Sequence, residues 1–396
     1  MDETVAPAIQ EPDNQLTPKG EVIMLPADMR ARRSQEERRL EIRKLQKVGS
    51  STLSVSLPSA WAAEQGLKRG ASVQLVEDGK ELRVIPVGEG VGSVPKEVAY
   101  VIAADECRSP EVLSRVIVGG YVLGRDHLVV RSKARLTADA VEAVRRTSKK
   151  LIGMGIIEES PAEIILQCSI ETQRYPVDAL FKRLYNLSSS AIVDSLEALR
   201  TKDQKLAEVA ASREEDADMI YWLIMRLILS AQQDESVRTM IGIKSRADVA
   251  GYSIIANDLE RIADQSRVVA LNVAGLLEAE SKLPGALHTA LRAHGLELGQ
   301  LFADAMLALL SRELDKAVEA TEIASRLRKE EESLVLQTLG AVHDAQAVLR
   351  LRRIIQAMVQ IAESCRSIAI IAFSRHQSEP TRFMRASEGE KPLRSP

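Results

Sequence analysis

Two groups of side chains in this chain have the residue types and spacing to do chemistry. The first is acidic: Glu260 with Asp264, and Glu214 with Asp218, are carboxylates four residues apart. On a helix, residues at i and i+4 lie one turn apart on the same face, with about 5–6 Å between their Cβ atoms. Oxygens so placed can grip a hard cation or share one with a neighbouring helix. Spacing alone selects nothing, because Glu37/Glu41 and Asp315/Glu319 repeat it. The second group is basic: Arg30, Arg32, Arg33, Arg38, Arg39, Arg43, Lys44 and Lys47 crowd one stretch and are opposed only by Glu36, Glu37 and Glu41. Such a cluster either neutralises nucleic-acid phosphates and releases counterions or is the solvated face of a charged lead-in helix. Nothing in it spells a base-reading code, so contacts to phosphates rather than to bases are expected.

Other chemistry is not indicated. Cys107, Cys168 and Cys365 are isolated and odd in number, which suits neither a zinc knuckle nor a disulfide framework. His288 and His294 are six residues apart, off the i,i+4 chelating spacing, and read as ordinary core or surface histidines. Gly119-Gly120 and Gly153-Met154-Gly155 lack a G-x-G-x-x-G or P-loop frame. No Ser/His/Asp set has supporting context, so an enzyme is not expected. The net charge of -3 over 396 residues confines any attraction to nucleic acid to a local patch. Hydrophobic residues at 45%, charged residues at 28% and aromatics at 3% describe a soluble, helix-rich chain. The acidic start Met1-Asp2-Glu3 has no secretory pattern, and even Met219–Leu229 is interrupted by Arg226, so a cytoplasmic protein is expected.

The acidic pairs must be positioned by helices. From Pro176 to about Arg375 the pattern is almost continuous helix, with three long segments between Pro176 and Leu277 and three more between Pro284 and Arg375. The third helix of each set carries I-A-[D/E]-x-x-R-x-x-A, at Ile262–Ala270 and again at Ile361–Ala369, an interval of 99 residues. A repeat of that period means a duplicated three-helix bundle. On a helical wheel Ile255, Leu259, Ile262, Val269, Val273 and Leu276 form the apolar face, and Glu260 and Asp264 point nearly opposite. They are therefore expected at the surface, open to a metal, to an Arg-rich partner or to water. Arg261 or Arg267 can offset their mutual repulsion.

The run Asn257-Asp258-Leu259-Glu260-Arg261-Ile262-Ala263-Asp264, the charged helix from Lys202 through Glu208 to Asp218, and the duplication together resemble the PhoU family of phosphate-uptake regulators. The resemblance covers about half of the chain. It implies a regulator of phosphate import acting through a phosphate transporter ATPase or its sensor. It also implies a divalent metal or iron on Glu260, Asp264, Glu214 and Asp218. The second half departs from the pattern: at the 99-residue interval Glu260 becomes Val359, Arg261 becomes Gln360 and Asp264 becomes Glu363, so a second metal cluster is not expected.

The basic stretch runs into a different pattern. Thr52–Leu57 alternates as a half-buried strand, Pro58 and Gly66 bracket a short helix, and Asp78-Gly79 joins two strands as a hairpin. Basic β1, Gly49, the S-x-S-L-P-x-x-W junction of Ser54–Trp61 and Gly66-Leu67-Lys68-Arg69-Gly70 resemble the SpoVT/AbrB swapped-hairpin family. That family interlocks two chains into one barrel and binds DNA, while some relatives serve only as dimerisation modules. The resemblance implies a homodimer, DNA contacts from Arg43, Lys44, Lys47, Arg38 and Arg39, and a pseudo-palindromic target. Its fusion to PhoU-like bundles looks archaeal.

The expected fold is therefore mostly α, with a small N-terminal swapped-hairpin β-barrel, a short α/β segment and two PhoU-like three-helix bundles. Residues 1–28 and 377–396 are expected as disordered tails, and 29–88 as the basic lead-in and SpoVT/AbrB-like domain. A small α/β, ferredoxin-like segment spans 96–171, bundle 1 spans 176–280 and bundle 2 spans 284–376. Two functions are consistent with this: a DNA-binding transcriptional regulator of phosphate transport, and a non-DNA adaptor that dimerises through the barrel and restrains a transporter ATPase.

Overall fold

A computed structural model describes residues 41–49, 52–78, 81–86, 98–377 and 384. The expected tails, the linker after Pro86, and Arg38 and Arg39 lie outside the described residues, except for Gln377 and Met384. The chain divides into two compact units, Met1–Pro95 and Lys96–Pro396.

In the first unit β1 (Gln46–Val48) pairs antiparallel with β2 (Thr52–Ser54), α1 spans Ser59–Glu64, and β3 (Val73–Asp78) pairs antiparallel with β4 (Glu81–Pro86). Gly66, at φ +66°, ends α1 in the left-handed region that favours glycine. The sheets are two separate two-stranded ribbons, so the expected barrel is not closed within one chain. The reason is visible in the side chains. Ile42, Leu45, Val48, Leu53, Leu75 and Leu82 are all more than half exposed, and no apolar residue of this unit whose side chain is described is buried. An isolated two-stranded ribbon has too little apolar surface to stand alone.

The second unit begins with an α/β layer: β5 (Ala99–Ala103), α2 (Pro110–Val122), β6 (His127–Arg131), α3 (Ala138–Lys149), β7 (Met154–Glu159) and β8 (Glu163–Cys168). The sheet order is β5-β6-β8-β7, with β5 and β6 parallel and the other pairs antiparallel. The ferredoxin-like β-α-β-β-α-β succession is thus replaced by β-α-β-α-β-β. Strand β7 was not legible because Met154-Gly155-Ile156-Ile157-Glu158-Glu159 does not alternate, and its pairing is broken by a bulge between Ile156 and Glu158. Leu113, Ile117 and Tyr121 of α2 and Val144 of α3 cover one face of the sheet, against Ile102, Leu128, Val130, Ile164 and Leu166.

The helical region holds α4 (Val177–Thr201), α5 (Gln204–Gln233), a short α6 (Glu235–Met240) and α7 (Arg246–Glu278), then α8 (Gly285–Ser311), α9 (Leu314–Ala341) and α10 (Ala345–His376). The duplication is clear at Lys202 and Arg312, which end α4 and α8 in the same left-handed conformation. Helix α6 exists only in the first half. The 99-residue interval therefore relates α7 to α10 but not the preceding helix pairs. The halves are not separate domains, because one apolar core runs through both. Helices α7 and α10 meet closely enough that a Cβ at Gly275 would overlap the Arg350 guanidinium. Helix α10 is long and apolar enough to cross a membrane by length and composition, yet 61% of its most apolar stretch is buried in this core.

Arg226, the interruption in an otherwise apolar run, ties α5 to the α/β layer. Its guanidinium is buried, donates to the Tyr121 carbonyl at 2.6 Å, ion-pairs with Asp126 and lies 5.0 Å from the Tyr121 ring centroid. Trp222, one turn earlier, packs into the α/β core. Arg226→Ala strands these acceptors, and urea unfolding of the full chain is expected to show a loss of about 2 kcal/mol. A loss within ~0.5 kcal/mol, the usual surface value, would contradict the tie.

A candidate cation site between two helices

Helices α5 and α7 approach through small buried residues. Ala217 and Ala263 are almost fully buried, and Ala210, Ala211 and Ala270 form an apolar patch of their own. At this seam Glu214 and Asp218 of α5 meet Asp264 of α7, with ligand oxygens all within 4.8 Å of one another. Glu260 stands one turn from Asp264 on α7, close enough to interact with Asp264, Asp218 and Glu214.

All four carboxylates are half-buried, which corrects the expectation that Glu260 and Asp264 are surface groups opposite the apolar face. Helix α7 is buried on more than one side: Ile255, Leu259 and Ile262 enter the core, while Ala256, Ala263 and Ala270 are also covered. A wheel drawn from the large apolar residues misses a flank built from alanine.

The electrostatics follow from crowding. Burial, reinforced by Glu214 and Asp264, pushes the Asp218 carboxyl up to about 6, and Lys150 and Arg267 only partly oppose this. Burial and the neighbouring Asp264 and Asp218 push Glu260 up to about 7. Asp264 is also raised by burial and eased by Arg267. Arg267 reaches Glu214 at 3.5 Å. Several oxygens from two helices, short of positive charge, fit a hard divalent cation or iron, which would offset both the burial that chiefly raises these pKa values and the repulsion that adds to it at Asp218 and Glu260.

The second half resolves the same position differently. Counted from the start of each helix, Ala324 and Arg328 of α9 take the places of Glu214 and Asp218. Glu363 is held by Arg328 at 3.2 Å and by Arg366 at 3.0 Å. Val359 is buried. One carboxylate between two guanidiniums needs no cation. The Val359 substitution was legible in the sequence; Arg328 was not, because locating it requires the register of α9. Asp258, in the same motif as Glu260, is not part of the cluster. It is buried and faces Ser364 and Ser367 of α10, with its pKa raised by burial and eased by these hydroxyls.

Of the expected nucleic-acid contacts, Arg43, Lys44 and Lys47 are exposed. Lys47 lies on β1 opposite Leu53, and Arg43 is paired with Glu41.

The fold and site together define a duplicated three-helix bundle with a carboxylate seam in its first half. Residues 181–273, which contain all four carboxylates, match the PhoU domain family. Among solved structures, the chain is similar to PhoU from Pseudomonas aeruginosa, at 18% identity and TM-score 0.43, covering 51% of this chain and 95% of that one. It is also similar to the phosphate transport system regulatory protein PhoU from Streptococcus pneumoniae, at 18% identity and TM-score 0.43, covering 51% and 93%. No curated protein matches the chain.

The raised pKa values give a signed prediction. A folded carboxyl titrating near 7 keeps a proton that the unfolded chain releases near about 4.3. In chelator, the stability of the protein therefore falls as pH rises from about 5 to about 7, and more steeply than in Glu260→Gln. Manganese should restore it, increasingly so at higher pH. Thermal unfolding at each pH measures this, and parallel curves for the two proteins with no manganese shift would contradict it.

Proposed function

We propose that this chain is a cytoplasmic regulator of phosphate transport of the PhoU type, acting as a homodimer that binds DNA. The observation that carries the reading is the cluster of Glu214, Asp218 and Asp264, with Glu260 beside it, lying inside the stretch that matches the PhoU domain. The seam would hold a divalent metal or iron through Glu214, Asp218, Glu260 and Asp264. Two copies of the N-terminal unit would cover each other's exposed Leu53, Leu75 and Leu82, which have no partner core within one chain. Arg43, Lys44 and Lys47, with Arg38 and Arg39, would then face DNA phosphates. A transporter ATPase or sensor that prefers one arrangement of the bundles would shift DNA affinity by linkage.

A second reading draws on the pairing of Arg43 with Glu41 and on the net charge of -3. In it the N-terminal unit only dimerises, and the bundles restrain the transporter ATPase directly.

Fluorescence anisotropy separates the two. Full-length protein is titrated onto DNA upstream of its own operon and of phosphate-transporter genes, against shuffled DNA, across a salt series. The regulator reading predicts selective binding, with a salt slope that falls by about 1 for each contact removed in Arg43→Ala/Lys44→Ala/Lys47→Ala. Binding no better than to shuffled DNA would leave the adaptor reading.

A further inference from the structure

We infer that the α/β layer carries a binding site for a small phosphoryl-bearing anion, at the ends of β5 and β6. A crevice of about 280 Å³ opens there, lined by Arg108, Arg135, Asp105, Ser132 and Asp139 and by the first turns of α2 and α3. It stands apart from the carboxylate seam, on different elements, and does not rest on the cation reading.

The crevice is built rather than incidental. The Asp105 carboxylate, at the end of β5, accepts from the Ser132 hydroxyl at 2.8 Å and from the Lys133 amide at 2.7 Å at the end of β6. These two bonds hold its pKa low and lock the two loops together. They also keep Asp105 negatively charged, so an anion must be held by Arg108 and Arg135 against it. Arg108 and Arg135, by contrast, form no ion pair among the described residues, although both line the cavity. Two uncommitted guanidiniums on facing loops are the residue type that recognises phosphate with paired N–H donors.

Helix α3 adds to this field. Ser109 caps α2 through the Val112 amide, and Thr137 caps α3 through the Ala140 amide. At α2 no first-turn amide is left over, because Pro110 has no N–H, Leu113 donates to the Ser109 carbonyl and the Glu111 amide is engaged by its own carboxylate. At α3 the Ala138 and Asp139 amides have no partner within the helix, and the helix dipole favours negative charge there. Asp139 opposes an anion from the α3 side and weakens its binding. The volume exceeds that of orthophosphate and admits a larger molecule bearing the group.

The test is calorimetric titration of the full chain, in chelator, with orthophosphate, AMP and acetate at matched ionic strength. Chelator removes any cation at the carboxylate seam that could itself hold phosphate. Binding of orthophosphate or AMP is expected, at least about tenfold tighter than acetate, and weakened about tenfold or more in Arg108→Ala/Arg135→Ala. Arg108→Lys/Arg135→Lys, with far-ultraviolet circular dichroism on every variant, separates lost contacts from lost folding and should retain intermediate binding. AMP binding tighter than orthophosphate would identify a nucleotide ligand; the reverse would identify free phosphate. No binding at millimolar concentrations, equal binding of acetate, or unchanged binding in a folded Arg108→Ala/Arg135→Ala protein would overturn the inference.

Discussion

Four carboxyl groups held half-buried between α5 and α7 repel one another, and the rest of the first bundle is arranged around that repulsion. Alanines bring the two helix backbones close enough for the side chains to converge. Arg267 and Lys150 supply partial compensation. What remains uncompensated must be met by protons or by a cation, because water at a half-buried seam screens it incompletely. The second bundle has the same three long helices without this tension, since Arg328 and Arg366 neutralise Glu363 directly. Duplication has thus preserved the scaffold while leaving the charge problem in one copy only.

The consequences extend past the seam. Helix α5, which carries Glu214 and Asp218, also carries Trp222 and Arg226 into the α/β layer. Helix α7, which carries Glu260 and Asp264, packs along α10 with its own buried carboxyl at Asp258. Both helices that flank the seam are therefore continuous with a second contact surface.

Much of this was legible in the sequence. Long segments with helical periodicity located all the long bundle helices, and the repeated I-A-[D/E]-x-x-R-x-x-A motif revealed the duplication. The acidic pairs share their i,i+4 spacing with Glu37/Glu41 and Asp315/Glu319 and were set apart by the family resemblance, and three of the four residues converge within a single site. Burial was misread, because alanine is too small to mark an apolar face on a wheel although it marks where two helices meet. Strand β7 and helix α6 are short elements without periodicity, and such elements are specified by tertiary contacts rather than local pattern. The merged core of the two bundles reflects how α7 and α10 cross, which no spacing within either helix encodes.

The most direct test of the account is to count bound cations. Purified full-length protein, stripped with chelator and dialysed, is titrated with manganese by calorimetry alongside Asp218→Asn/Asp264→Asn and Glu363→Gln. The account predicts binding confined to the first bundle, abolished in Asp218→Asn/Asp264→Asn and unchanged in Glu363→Gln. Absence of binding to the unmodified protein, or binding that survives Asp218→Asn/Asp264→Asn, would contradict it.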